Sequence, residues 1–77
     1  DLAFTAIRTG GNMPCILNAA NEIANRAFLE DRCSFLDIAD IIERTMHATT
    51  LDANPTYETY VATDMEARRK ASEMLKC

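Results

Sequence analysis

The side chains best able to do chemistry are one histidine, His47, three cysteines, Cys15, Cys33 and Cys77, and a block of amides with an acid, Asn18, Asn21, Glu22 and Asn25. A zinc site needs thiols, imidazoles or carboxylates brought together in tetrahedral sets, and the local spacings that do this are CxxC, HxxxH and HExxH. None occurs here; Cys15, Cys33, His47 and a carboxylate would have to converge from separate segments. A cysteine nucleophile needs a histidine to take its proton, and a Cys–His pair is available by composition only. An odd cysteine count without regular spacing is a poor disulfide framework. The three cysteines read as reduced thiols, with Cys15 and Cys33 set against the core as small hydrophobes. Gly10-Gly11 is the one glycine pair, and it belongs to no GxGxxG or GxxxxGK[ST] phosphate loop. An anion could sit at the start of the helix that follows it, but a plain turn is the simpler reading. No residue is assigned a catalytic, cofactor-binding or metal-binding role.

What remains is the amide block Ile16-Leu17-Asn18-Ala19-Ala20-Asn21-Glu22. Asparagine is a poor helix former because its amide competes for backbone hydrogen bonds. Yet Asn18, Asn21 and Asn25 recur at helical spacing within a strongly helical segment, and breaches of local preference mark functional or strained positions. We read Asn18, Asn21 and Glu22 as a structural polar block. Its amides pair with neighbouring helix ends or loops and fix how the bundle, or an adjoining domain, packs. Contact of Asn21 and Glu22 with a ligand or metal is the competing reading.

Four helical segments must position that block. The first covers Leu2 to Thr9, with Ala3, Phe4 and Ile7 on one side, and stops at Gly10-Gly11 in a left-handed cap. The second runs from Pro14 to Glu30, with Asn12 as N-cap and Pro14 in the first turn, where its missing N–H does no harm. Its apolar stripe is Ile16, Leu17, Ala20, Ile23, Ala24, Ala27 and Phe28. Glu22 and Arg26 are spaced to pair across one turn. The third begins at Ser34, where Ser34 and Asp37 form a capping box and Cys33 and Ile38 a hydrophobic staple. It carries Phe35, Ile38, Ile41, Ile42, Thr45 and Met46 at helical spacing, pairs Asp40 with Arg44, and fades near His47, a cation suited to a helix end. After a loop over Thr49 to Asn54, Pro55 opens a short turn with Tyr57, Tyr60 and Val61. The last helix starts at Thr63, with Glu66 completing a capping box and pairing with Lys70, and turns Ala67, Ala71, Met74 and Leu75 inward. Helices with apolar faces, short loops and no strand give an all-α fold, a small bundle of about four helices, with residues 1–77 as one helical domain.

The totals limit function further. With 77 residues the chain is one small domain of marginal stability. Apolar residues make up 48% and charged residues 26%, which is globular rather than disordered. A net charge of −4 and a pI near 4.8 disfavour nucleic acid and anionic membranes, and Arg68-Arg69-Lys70 reads as a solvated face. No apolar run reaches the ~18–20 residues of a membrane span, and no signal-peptide pattern opens the chain. A start at Asp1 instead of Met reads as a piece of a longer polypeptide.

The same residues resemble the C-terminal region of the 1-deoxy-D-xylulose 5-phosphate reductoisomerase family. The resemblance rests on Leu17-Asn18-Ala19-Ala20-Asn21-Glu22-Ile23, then Ala27-Phe28-Leu29, Phe35-Leu36-Asp37-Ile38 and Asp64-Met65-Glu66-Ala67-Arg68, at matching intervals across the whole chain. It implies a parent enzyme that rearranges and reduces its sugar phosphate to 2-C-methyl-D-erythritol 4-phosphate, in the non-mevalonate route to isoprenoids. The parent would use NADPH and a divalent cation, Mg or Mn, and work as a cytoplasmic or plastid homodimer. It also implies that the dinucleotide fingerprint, the metal-binding acids and the loop over the substrate lie in segments other than this one. This chain would then be a non-catalytic helical support for the catalytic region of the same polypeptide. The alternative is an independent helical adaptor that takes a partner helix into an apolar groove.

Overall fold

The computed structural model describes residues 1–75, which form four helices: α1 (Leu2–Thr9), α2 (Met13–Leu29), α3 (Phe35–Ala48) and α4 (Tyr57–Met74). No strand occurs among the described residues. Cys77 lies outside them.

α2 is the central element and packs against each of the other three helices. Its inner face is mostly alanine. Ala19, Ala20, Ala24 and Ala27 are fully buried, beside Ile16 and Met13. Small side chains on this face let the neighbouring helices approach closely. α3 contributes Ile41, Ile42, Thr45 and Met46, and α4 contributes Thr63, Ala67 and Ala71. The expected stripe of α2 is largely the buried one, but Phe28 is partly exposed, and Phe35 at the start of α3 is 71% exposed, not in the core. The two rings meet edge to face, with centroids 5.9 Å apart, outside the main cluster.

The helix ends follow from local chemistry. Asp1 caps α1 by accepting the Phe4 N–H at 2.8 Å. Gly10 closes it, with φ of 73° and its N–H on the Ala6 carbonyl. α2 ends in a Schellman turn: Arg32 N–H donates to the Ala27 carbonyl at 2.8 Å and Asp31 N–H to that of Phe28 at 3.1 Å. The left-handed position in that turn is taken by Asp31, with φ of 59°, where glycine is the usual occupant. At the start of α3 the Asp37 carboxylate accepts from the Ser34 N–H and the Ser34 hydroxyl, each at 2.9 Å, as the capping-box spacing predicts. These bonds hold the Asp37 carboxyl below the usual carboxylate range, the Ser34 backbone N–H contributing most. Cys33 and Ile38, the expected staple pair, are both half-buried and pack on the core.

Two local expectations fail. Residues 57–74 are one continuous helix, not a short turn followed by a helix starting at Thr63. Thr56 is the true N-cap, its hydroxyl accepting the Thr59 N–H at 3.2 Å. Thr63 lies inside α4 with its side chain buried and engaged elsewhere, so the Thr63–Glu66 spacing does not mark a helix start. Glu22 pairs with Arg68 of α4 at 3.2 Å, not with Arg26 one turn along its own helix. The predicted pairs Asp40–Arg44 (3.5 Å) and Glu66–Lys70 (3.3 Å) are both present. Lys70 also donates to the Ala48 carbonyl, joining the end of α3 to α4.

Candidate interface and the buried polar joint

The polar block identified in the sequence lies on the outside of α2. Asn18, Asn21 and Glu22 are all exposed, and Asn25 is half-buried beside them. Among the described residues the amides bond along their own helix, not to neighbouring helix ends or loops as the sequence reading expects. Asn25 Nδ2 donates to the Asn21 carbonyl (2.8 Å) and to Asn21 Oδ1 (2.7 Å), and Asn18 Nδ2 donates to Glu22 Oε2 (3.2 Å). Of the three residues in the block, only Glu22 reaches another element. Arg68 of α4 spans Glu22 (3.2 Å) and Asp64 (2.9 Å), tying α4 across α2. Part-exposed pairs of this kind contribute little stability each but fix an arrangement.

Beside the amides lies a cleft of about 460 Å³ between α1 and α2, lined by Ala3, Ala6, Ile7, Pro14, Leu17, Asn18 and Asn21. Its walls are apolar and none of its lining residues is charged. α1 itself is poorly covered: Ala6 is its one buried residue, while Phe4 is 57% and Ile7 73% exposed. The Phe4 ring is partly occupied by the Arg8 guanidinium, 4.8 Å from its centroid. Two further apolar areas face outward. One is at the α2–α3 turn, where Leu29, Phe35 and Leu36 are exposed, and the other is on α4, where Tyr57, Tyr60, Val61 and Met65 are exposed. Single exposed hydrophobics are ordinary, but several groups of them on so small a domain point to contact surfaces.

The residue that the sequence reading undervalued is Asn12. It occupies the expected N-cap position of α2, but its side chain makes no cap bond there. It is 1% exposed and reaches across the chain instead. Its Nδ2 donates to Thr63 Oγ1 (2.8 Å) and to the Thr50 carbonyl (3.0 Å), and its Oδ1 accepts the Asp52 N–H (2.8 Å). Its own N–H donates to the Asp52 carbonyl at 3.0 Å. One amide thereby joins the start of α2, the 49–56 loop and the middle of α4. Gly11 allows that closeness. With φ of +58° it is left-handed, and a Cβ there would lie 2.9 Å from Ala53 Cα and closer still to the Asp52 carbonyl oxygen. The loop backbone therefore covers the start of α2, where an anion had been the alternative to a plain turn. No local pattern marks this joint, because the partners of Asn12 lie 38 to 51 positions away.

The remaining reactive groups do not converge. Cys15 and Cys33 are separate, half-buried free thiols, each directed at a backbone carbonyl, of Tyr60 at 3.7 Å and Ala24 at 3.8 Å. Burial, and next the nearby Asp64 carboxylate, push the Cys15 thiol up, against a smaller downward pull from Arg68. This favours an unreactive thiol. His47 is exposed in the last turn of α3. Among the described residues no group of three or more His, Cys, Asp or Glu is placed to hold a metal ion, and no helix is long and apolar enough to cross a membrane.

Residues 1–70 match the family described as the DXP reductoisomerase C-terminal domain. The chain is 55% identical over 74 residues to the 1-deoxy-D-xylulose 5-phosphate reductoisomerase of Bacteroides thetaiotaomicron, which covers 96% of this chain and 19% of that protein. It is 45% identical over 74 residues to the enzyme of the same name from Chlorobium limicola, with the same shares. Among solved structures it is similar to the 1-deoxy-D-xylulose 5-phosphate reductoisomerase of Zymomonas mobilis in complex with NADPH. That match has 44% identity and a TM-score of 0.90, covering 99% of this chain and 20% of the other. The chain spans about a fifth of the length of the relatives it matches.

Proposed function

The chain belongs to the DXP reductoisomerase C-terminal domain family, and from that premise we propose that it is the helical support of an NADPH-dependent 1-deoxy-D-xylulose 5-phosphate reductoisomerase. In this reading residues 1–77 form one domain of a longer polypeptide. They supply no group to the chemistry and hold the catalytic region in its working geometry. The observation that carries it is the full-length superposition on one fifth of a reductoisomerase.

NADPH and a divalent cation are the groups the parent enzyme would use. The residues here do not fit either. The described chain has no strand to carry a glycine-rich dinucleotide turn, and its acids and thiols are not gathered into a ligand set. Both sites are assigned to the remaining four-fifths of the parent, and no step of the reaction is routed through this domain. We place the parent in the cytoplasm as a homodimer. The outward apolar areas on α1, the α2–α3 turn and α4 suit a domain that is covered in its assembled state better than one that works alone.

The reading is tested by calorimetry, titrating the 77-residue chain into a parent enzyme truncated before this domain. A saturable one-to-one heat with a negative heat-capacity change is expected, the mark of apolar surface leaving water. Absence of any binding heat between two folded partners would count against it.

A further inference from the structure

We propose that the α1–α2 cleft is the seat of an extended, non-helical segment of the catalytic region of the same polypeptide. The segment would be held by its backbone through Asn18 and Asn21 and by an apolar side chain against Ile7 and Leu17. This rests on the support-domain reading above and adds which face docks and what it takes.

The polar equipment of the cleft is a complementary pair. Asn21 spends its Oδ1 on Asn25, and among the described residues its Nδ2 donates to nothing. Asn18 spends its Nδ2 on Glu22, and among the described residues its Oδ1 accepts nothing. One amide thus offers donors and the other, one helical turn away, offers an acceptor, both at the rim of an apolar cleft. A peptide unit carries one N–H and one C=O, so this pair matches a backbone whose groups are unspent. A packed helix has already used its backbone groups internally and would leave both amides unpaired on docking. An extended segment presents them.

Charge leads the same way. The chain carries a net charge of −4, yet Ala3, Ile7, Pro14, Leu17, Asn18 and Asn21 are all neutral, so the surface suits an uncharged segment. α1 also needs such cover. It has eight residues and buries one of them fully, and a helix that short holds together through packing. About four-fifths of the length of the relatives lies outside the part matched here, and that is the source of the occupant.

The test uses the full-length reductoisomerase carrying this domain. Ile7→Cys probes the cleft, Leu36→Cys the α2–α3 turn, and Glu43→Cys the exposed outer side of α3. Maleimide labelling rates are read site by site by peptide mass spectrometry, in the native state and in urea. Ile7→Cys should label at least tenfold more slowly than Glu43→Cys when native and equally fast when unfolded. Asn21→Asp, which keeps the acceptor for Asn25 but removes both donors, should raise the Ile7→Cys rate at least threefold. Fast labelling at Ile7→Cys with protection at Leu36→Cys would overturn the cleft as the seat while leaving the support-domain reading standing. Fast labelling at all three sites would likewise overturn the cleft as the seat and leave the outward side of α4 as the docking face. Protection at Ile7→Cys that vanishes on dilution would make a second copy the occupant and overturn the proposal. Protection indifferent to Asn21→Asp would overturn the backbone-held segment.

Discussion

Replacing Asn12 by alanine should be among the most damaging single changes available in this domain. The amide is fully buried and makes three side-chain hydrogen bonds, to Thr63 Oγ1, the Thr50 carbonyl and the Asp52 N–H. Thr50 belongs to an exposed stretch of loop, and its carbonyl can turn to water. The Asp52 N–H and the Thr63 hydroxyl are less free, since both face the space the amide vacates. A buried polar group left without a partner costs about 1–3 kcal/mol, so two of them, partly relieved by loop movement, give a loss of about 2–4 kcal/mol. A domain this size has a total stability of about 4–12 kcal/mol, and each kcal/mol moves its melting temperature by about 4–8 °C, so Asn12→Ala should melt about 10–25 °C below the parent sequence. The assay is circular dichroism at the helical minimum, followed with temperature and with urea. Asn25→Ala is the control, because among the described residues its amide bonds only within α2, to Asn21 one turn away. It should be neutral to within about 0.5 kcal/mol, or slightly stabilising, since alanine is the better helix former. If Asn12→Ala also fell within that margin, the joint between α2, the loop and α4 would carry no energetic weight and the reasoning would fail.

Three other perturbations follow from the backbone and the caps. Gly11→Ala should cost more than about 3 kcal/mol, because it combines a left-handed φ with a clash against the Asp52–Ala53 backbone. Gly10→Ala, in open space but in a glycine-only region at φ 73° and ψ −156°, should cost about 1–3 kcal/mol; urea midpoints rank the two. Asp31→Gly should raise stability by about 0.5–1 kcal/mol, the left-handed penalty less the extra chain entropy of glycine, again read from urea unfolding. The Asp37 carboxyl is held below its ordinary value in the folded state, so its contribution is present above the unfolded pKa and is lost as pH falls through the folded one. The melting-temperature gap between the native sequence and Asp37→Asn should therefore close below about pH 4. A gap that stayed constant down to pH 2 would mean the Ser34 bonds do not act through that charge.

The helices were legible where the signal is local. The α3 cap can be read from Ser34 and Asp37 because its bonds join residues three apart, and the pairs Asp40–Arg44 and Glu66–Lys70 follow from one turn of helix. The break expected at Thr63 was not there, because Thr63-x-x-Glu66 carries a cap signature in sequence while Thr56, seven residues earlier, makes the cap in space. A threonine inside a helix that is committed to Asn12 and a threonine that caps one look the same locally. Spacing offered Glu22 only Arg26, one turn along its own helix, and the packing of α4 on α2 brought it Arg68 from 46 positions away instead. The amide block stands out in the sequence because asparagine is a poor helix former. Its orientation was not legible, since a stripe at helical spacing can face a core or a neighbour, and Asn18 and Asn21 turn out to be exposed. The buried amide that does lock the fold, Asn12, was hidden behind an ordinary capping role.

The support role is tested most directly by exchange in a working enzyme. The matched fifth of the Zymomonas mobilis reductoisomerase, 44% identical to this chain, can be deleted or replaced by residues 1–77, and NADPH oxidation followed with 1-deoxy-D-xylulose 5-phosphate. Deletion should abolish turnover, and replacement should restore most of it with the Michaelis constants for substrate and cofactor little changed. A truncated enzyme that retained full turnover, or a folded chimera that recovered none, would contradict the account.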